Sequence, residues 1–401
     1  MKTIPGGVTA PKGFRASGVA AGIKLKSTKK DCALIASDSM ASVAGMFTQN
    51  VMKSPPVVWN QSVCAAGCAQ SVFINSGNAN AATGEQGAAD VRTTAQLVAE
   101  ALGAQPGTVC LCSTGVIGVP LPMDRIAKGV SGSAQALSYS GSADAAAAIM
   151  TTDTVPKEVA IEVALSGGTV RLGAIAKGSG MIAPNMATMI CVITTDATIA
   201  AKPLANLLRD AVNATFNCIC VDNDMSTSDT VLCLANSAAN LPSLEPGSAD
   251  YELFGDALTA LCKDIAHRLV KDGEGATKFV EILVEGTSTD ADAKTIARAI
   301  AFSHLCKTAF FGQDPNWGRI VCAAGYAGVP FDPRHVALWL DDVQLVSAGA
   351  ATDYREEEAA AVMRKPEFRI HLEVGNGPGL AMFWTSDLSD KYVHINADYR
   401  S

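Results

Sequence analysis

The run Lys177-Gly178-Ser179-Gly180-Met181-Ile182-Ala183-Pro184-Asn185-Met186-Ala187-Thr188-Met189 has neither helical nor strand periodicity. Two glycines and a proline mark it as a loop. An apolar, β-rich stretch, Met189–Thr194, begins at once behind it. The loop divides the chain into residues 1–187 and 188–401. It also sets a hydroxyl, that of Thr188, at the mouth of a buried strand. A threonine hydroxyl is a weak nucleophile near neutral pH and needs a base within hydrogen-bond reach. An N-terminal threonine carries its own base, an α-amine with an unperturbed pKa of about 7.7–8.0. Freeing that amine requires scission between Ala187 and Thr188. The route would be attack of the Thr188 hydroxyl on the Ala187 carbonyl, an N-to-O acyl shift, and hydrolysis of the ester. The bland reading of the same residues is a turn leading into a buried strand.

Outward from the loop, the first half is rich in Gly and Ala, with strands expected near Ser71–Asn75 and Val109–Cys112. Helices are expected over Gly87–Leu102, Asp124–Leu137 and Ser142–Met150. The second half alternates helices (Leu204–Thr215, Tyr251–Lys271, Asp292–His304, Tyr354–Met363) with strands. The strands are Cys218–Asp222, Thr230–Ala235, Phe279–Val284, Ala337–Leu340, Glu367–Glu373 and Leu380–Trp384. This mixture implies an α/β or α+β fold with substantial sheet.

Hydrophobic residues make up 48% of the 401 positions and charged residues 17%, as expected of a globular core rather than a disordered chain. The formal net charge of −8 and the lack of a basic cluster exclude a nucleic-acid binder. No apolar run is long enough to span a bilayer, and residues 1–18 lack an export signal, so a cytoplasmic enzyme acting on small metabolites is expected. The 12 cysteines show no paired metal-ligand spacing. They read as reduced core residues, with Cys110/Cys112 and Cys218/Cys220 each sharing a strand face. Five histidines are present, none in a nucleophile context, and are read as surface or satisfied core residues. There is no G-x-S-x-G elbow and no phosphate-binding Lys loop.

The loop sequence KGSGMIAPNMATM closely resembles the self-cleavage motif of the ornithine acetyltransferase (ArgJ) family. Further stretches resemble the family in the same order: GGVTAPKGFRASGVAAGIK at Gly6–Lys24, NSGNANAATGEQG at Asn75–Gly87, STGVIG at Ser113–Gly118 and MTTDTVPK at Met150–Lys157. The second half adds DNDMSTSD at Asp222–Asp229, DGEGATK at Asp272–Lys278 and GQDPNWGR at Gly312–Arg319.

The resemblance implies a layered sheet-and-helix fold, self-cleaved into two interlocked chains, 1–187 and 188–401. It implies that Thr188 takes acetyl from N-acetylornithine as an ester and passes it to glutamate. Thr114 and Gly115 match the family's oxyanion pair, and Thr151, Lys177, Glu274, Asn396 and Ser401 its substrate contacts. A slip of one residue would exchange Thr151 for Thr152. Lys177 would meet a substrate carboxylate and Glu274 an ammonium of ornithine. No cofactor and no metal are implied, though some family members also accept acetyl-CoA as donor. The implied assembly is a heterotetramer, two copies of each fragment. The GQDPNWGR residues Asp314, Asn316, Trp317 and Arg319 are expected to play a structural part near the site. Asp222, Asn223 and Asp224 are expected to satisfy backbone groups in a turn. Two other functions compete: a self-processed amidase or aminopeptidase that passes acyl groups to water, and a non-catalytic binding protein.

Overall fold

The computed structural model describes the chain except for residue 26, residues 184–188 and residues 399–401. The positions Ala187, Thr188 and Ser401 singled out above therefore lie outside the described residues. The first half contributes β1 (Lys2–Ile4), β2 (Phe14–Val19), β3 (Cys32–Phe47), α1 (Pro55–Ala66), β4 (Cys68–Asn78), α2 (Gly84–Leu102), β5 (Val109–Val116), α3 (Met123–Gln135), α4 (Ser142–Ile149), β6 (Lys157–Leu165) and β7 (Gly168–Lys177). The second half continues with β8 (Ile190–Thr195), α5 (Ala201–Ala214), β9 (Ile219–Cys220), β10 (Thr230–Ala235), α6 (Ala249–Lys271), β11 (Phe279–Thr287), α7 (Asp290–Phe302), α8 (His304–Gly312) and α9 (Trp317–Gly325). It ends with β12 (Ala337–Leu340), β13 (Val343–Ser347), β14 (Ala350–Ala351), α10 (Glu356–Arg364), β15 (Glu367–Glu373), β16 (Gly379–Ser386) and α11 (Asp390–Asp398).

Two mixed sheets result. One runs β1-β6-β7-β8-β10-β3-β4-β5, with β2 added on β3; the other runs β14-β13-β12-β15-β11-β16-β9. The first sheet interleaves the two halves. β8 lies antiparallel to β7 and parallel to β10, and β10 lies antiparallel to β3. Backbone hydrogen bonds thus cross the 187/188 boundary on both sides of the β8–β10 pair.

Both faces of the first sheet are buried, and its strands show it by alternation. On β3, Ala33 and Ile35 pack with Ala145, Ala146 and Ile149 of α4, while Cys32 and Leu34 pack with Val91, Val98 and Val130 of α2 and α3. On β8, Cys191 and Ile193 join the largest cluster with Leu208, Phe254 and Leu261, while Ile190 and Val192 face the α4 side. Helix α6 packs against β6 and β7 and also against β16 and β9, so it bridges the sheets.

Local chemistry explains where the expected elements hold and where they shift. Ser248 accepts a hydrogen bond from Tyr251 N and opens α6; Thr289 does the same for α7 through Asp292 N. The single helix expected over Asp292–His304 stops at Phe302, because the Ser303 hydroxyl accepts from Cys306 N and starts α8. Cys110 and Cys112 share a face of β5, as expected. Cys218 does not sit on a strand: it closes a 3-10 turn, Phe216–Cys218, ahead of β9. All the cysteines are free, most of them buried, but Cys64 and Cys68 are half-buried and Cys322 is exposed.

Candidate active site

The site forms where several chain reversals of the first sheet meet. β4 and β5 run parallel, with Ser76 opposite Thr114 and Gly77 opposite Gly115. Gly115 has φ +131°, and a Cβ there would lie 2.4 Å from the Gly77 carbonyl carbon and 2.6 Å from Asn78 N. Only glycine lets the two strand ends approach so closely. Thr114 is left buried beside it, with Oγ1 3.3 Å from Lys177 Nζ.

Lys177 is the last residue of β7, paired with Ile190 of β8. Burial holds its ammonium below the usual lysine range, against the opposing fields of Asp153, Asp229 and Glu274. The chain leaving Lys177 is clamped by Asp153, whose Oδ1 accepts from Gly178 N at 2.7 Å and from Lys157 Nζ at 2.7 Å. Burial works against the Asp153 charge, but the Lys177 and Lys157 ammonium groups and the Gly178 amide outweigh it, and the carboxyl lies below the usual range. Lys157, buried, also pairs with Asp272 Oδ2 at 2.5 Å.

From there the backbone is tied to a second loop. Ser179 Oγ donates to Asp272 O at 2.6 Å, and Glu274 N donates to Ser179 O at 2.8 Å. A Cβ on Gly180 would come within 2.4 Å of the Glu274 carboxylate, so a small residue there leaves room for that side chain. The Glu274 carboxylate accepts from Asn396 Nδ2 at 2.8 Å. Gly275, at φ +71°, lets α11 approach, and Ser389 Oγ donates to Gly275 O at 2.6 Å. Asp222 accepts from Met181 N at 2.5 Å and Ile182 N at 2.8 Å, and Tyr392 Oη donates to it at 3.2 Å. Burial pushes the Asp222 carboxyl up to about 6, against the pull of those backbone amides. Asp222 therefore does satisfy turn amides, and Asn223 Nδ2 likewise donates to Phe302 O at 2.9 Å.

These pieces line one cavity of about 70 Å³. Thr114, Gly115, Lys177, Glu274 and Asn396 all line it, and so do both Thr151 and Thr152. A cation, a carboxylate and several hydroxyls stand on its wall. The hydroxyl run Ser226-Thr227-Ser228 also lines it. Its place in the DNDMSTSD stretch was visible in the sequence, but alternation alone assigned it no role. Asp314, Asn316, Trp317 and Arg319 correct the expectation of a part near the site, because none of them lines this cavity. Asn316 Oδ1 accepts from Arg319 N and caps α9, and Trp317 borders a separate apolar cavity. His267 also departs from expectation. Its Nε2 is buried without a hydrogen-bond partner, edge-on to Trp384, and burial lowers its pKa to about 4. Among the described residues, Glu285, His371 and Glu373 can bring three potential metal-ligand atoms within 4.8 Å, on the second sheet and outside this cavity. No helix of the described residues is long and apolar enough to cross a membrane.

The ArgJ family model matches residues 15–401. The chain is 50% identical to the arginine biosynthesis bifunctional protein ArgJ of Symbiobacterium thermophilum, covering 100% of both chains. It is 48% identical to the ArgJ protein of Geobacter sulfurreducens, covering 97% of this chain and 99% of that one. A crystal structure of an ArgJ protein from Bacillus halodurans matches with 38% identity and a TM-score of 0.50, covering 51% of this chain and 97% of that one. With a family match over nearly the whole length and full-length relatives at such identity, this chain belongs to the ArgJ family.

Proposed function

We propose that the protein is a bifunctional acetyltransferase of arginine biosynthesis that moves acetyl from N-acetylornithine to glutamate through an ester on Thr188. The chain first cuts itself between Ala187 and Thr188, and the freed α-amine serves as base for the Thr188 hydroxyl. The Thr114 hydroxyl and the Gly115 N–H stabilise the oxyanion of each tetrahedral intermediate. Lys177 pairs with a substrate carboxylate and Glu274 with the side-chain ammonium of the ornithine half. Asn396, Thr151 and Ser401 complete the substrate contacts. The relatives are named bifunctional, which supports a second activity, acetylation of glutamate from acetyl-CoA. The cut fragments stay joined through the shared sheet and assemble as a heterotetramer in the cytoplasm.

One observation carries the reading. The Thr114–Gly115 pair, Thr151, Lys177, Glu274 and Asn396 are far apart in sequence, belong to separate motifs, and share the wall of one cavity. Mass spectrometry of the wild type beside Thr188→Ala tests it. The wild type should yield fragments of 187 and 214 residues (401 − 187 = 214), and the variant should stay whole and inactive. An uncut wild type that exchanges acetyl groups would overturn the mechanism. Release of acetate at a rate indifferent to glutamate would instead mark an amidase.

A further inference from the structure

The cavity wall carries three consecutive hydroxyls that the proposed reaction leaves without a task, those of Ser226, Thr227 and Ser228. The stretch is bound firmly to its surroundings. Ser226 O accepts from Thr48 Oγ1 at 2.8 Å, Thr227 O from Ser54 N at 2.9 Å and Ser228 O from Thr230 Oγ1 at 3.1 Å. All three carbonyls, which would repel an anion, are thus engaged by donors of the protein. Ser226 Oγ accepts from Ser228 N at 3.1 Å and closes the turn. Thr227 Oγ1 and Ser228 Oγ lie 3.3 Å apart, and either can donate to the other. Each hydroxyl has one hydrogen, so one of the two is left over for a ligand among the described residues.

The proposed exchange makes a demand that Lys177, Glu274 and Asn396 do not meet. N-acetylornithine and glutamate both react at the α-nitrogen and both carry an α-carboxylate, which suits Lys177. Their side chains end in opposite charges, an ammonium and a carboxylate. Glu274 attracts the first and repels the second. Asn396 has both N–H bonds of its amide engaged, by Glu274 Oε2 at 2.8 Å and Tyr392 O at 3.1 Å. A wall that serves the two substrates in turn therefore needs further donors for an anionic side chain.

We propose that Thr227 and Ser228 form the acceptor subsite, their hydroxyls donating to the side-chain carboxylate of glutamate, and so set the acceptor specificity of the second half-reaction. The inference rests on the acetyl transfer proposed above. It adds the contact by which a cavity holding Glu274 still takes an anionic side chain. Hydroxyls suit this task because they are neutral and both donate and accept. They bind a carboxylate through charge-assisted hydrogen bonds without repelling the ammonium of ornithine, as a second lysine would.

The test is a comparison of the two half-reactions. In a ping-pong reaction kcat/KM for each substrate reports its own half-reaction alone, so one enzyme supplies both readings. Thr227→Val and Ser228→Ala should each lower kcat/KM for glutamate about tenfold, and kcat/KM for N-acetylornithine by less than about threefold. Thr227→Ser, which keeps the hydroxyl, should hold the wild-type ratio of the two. Equal losses for both substrates, as a merely structural role would give, or an unmoved ratio would overturn the assignment. Should Ser228→Ala fail to fold, Thr227→Val decides, since it exchanges a hydroxyl for a methyl group of similar shape on a half-buried residue. A wild type that transfers no acetyl from N-acetylornithine to glutamate would instead sink the proposed function, so the two failures are distinguishable.

Discussion

Lys177 Nζ and Thr114 Oγ1 stand 3.3 Å apart, both buried, and bring the end of β7 against the end of β5. The two residues come from strands that lie on opposite sides of the β8–β10 pair in the first sheet. A cation there sits beside the hydroxyl proposed to donate to an oxyanion, so the proposed substrate contact and the proposed oxyanion donor are held by the ends of two strands of one sheet.

Lys177→Met should therefore raise KM for both substrates. Losing a charge-assisted hydrogen bond worth about 1.5–3 kcal/mol corresponds to roughly 10- to 100-fold in kcat/KM. Steady-state kinetics with each substrate varied in turn checks this, and electrophoresis checks that cleavage persists.

Thr114→Val and Gly115→Ala should differ in kind. Thr114→Val removes a hydroxyl without changing shape much and should lower kcat on the order of a hundredfold, with little change in KM. Gly115→Ala sets a Cβ 2.4 Å from the Gly77 carbonyl carbon at φ +131°, so the strand ends must part. Both activity and thermal stability should fall, which calorimetry would register for this variant and not for Thr114→Val.

Glu274→Gln separates the two half-reactions. The amide can still accept from Asn396, so the local hydrogen bond of 2.8 Å can persist. Without the negative charge, KM for N-acetylornithine should rise about tenfold or more. KM for glutamate should stay level or fall, since no ammonium occupies the end of its side chain. Equal effects on both substrates would contradict the assigned contact.

Lys157→Met should be the most damaging change to stability. It leaves Asp153 and Asp272 buried without their shared cation, at a cost of about 3–5 kcal/mol. It also frees the clamp on Gly178 N, so self-cleavage should slow even where the protein folds. Denaturant unfolding of the uncut Thr188→Ala background, with and without the second change, measures the first effect.

Asp222 supplies a pH dependence. Its folded pKa of about 6 lies above the ordinary value of 3.8. The folded state therefore holds the proton more tightly, and this stabilisation is present below about pH 4 and is lost as pH rises through 6. The shift corresponds to about 3 kcal/mol at most. Uncut protein should lose stability between pH 4 and 7 by an amount that Asp222→Asn removes.

Much of the second half was legible in advance. Thr230–Ala235, Ala337–Leu340 and Glu367–Glu373 are strands to the residue, because short apolar or alternating runs bounded by turns admit little else. β3 was not foreseen: its Asp38-Ser39-Met40 interrupts the apolar pattern, and the ladder with β4 shifts register between Ala36 and Ala41. The hairpin of β6 and β7 was also missed, and Lys177, read as loop, closes β7. Ser226, Thr227 and Ser228 carry no periodic signal, and their place at the cavity follows from which strand β10 chose as neighbour.

The sequence by itself determined the family, the mixed α/β character and the chemical inventory of the site, because long motifs and residue types are local properties of the chain. Only the tertiary structure decided that β8 and β10 slot between strands of the first half, and that Lys177, Thr114, Glu274 and Asn396 meet on one cavity wall. Those contacts span tens to hundreds of residues, and strand order and burial set them, which no local pattern encodes.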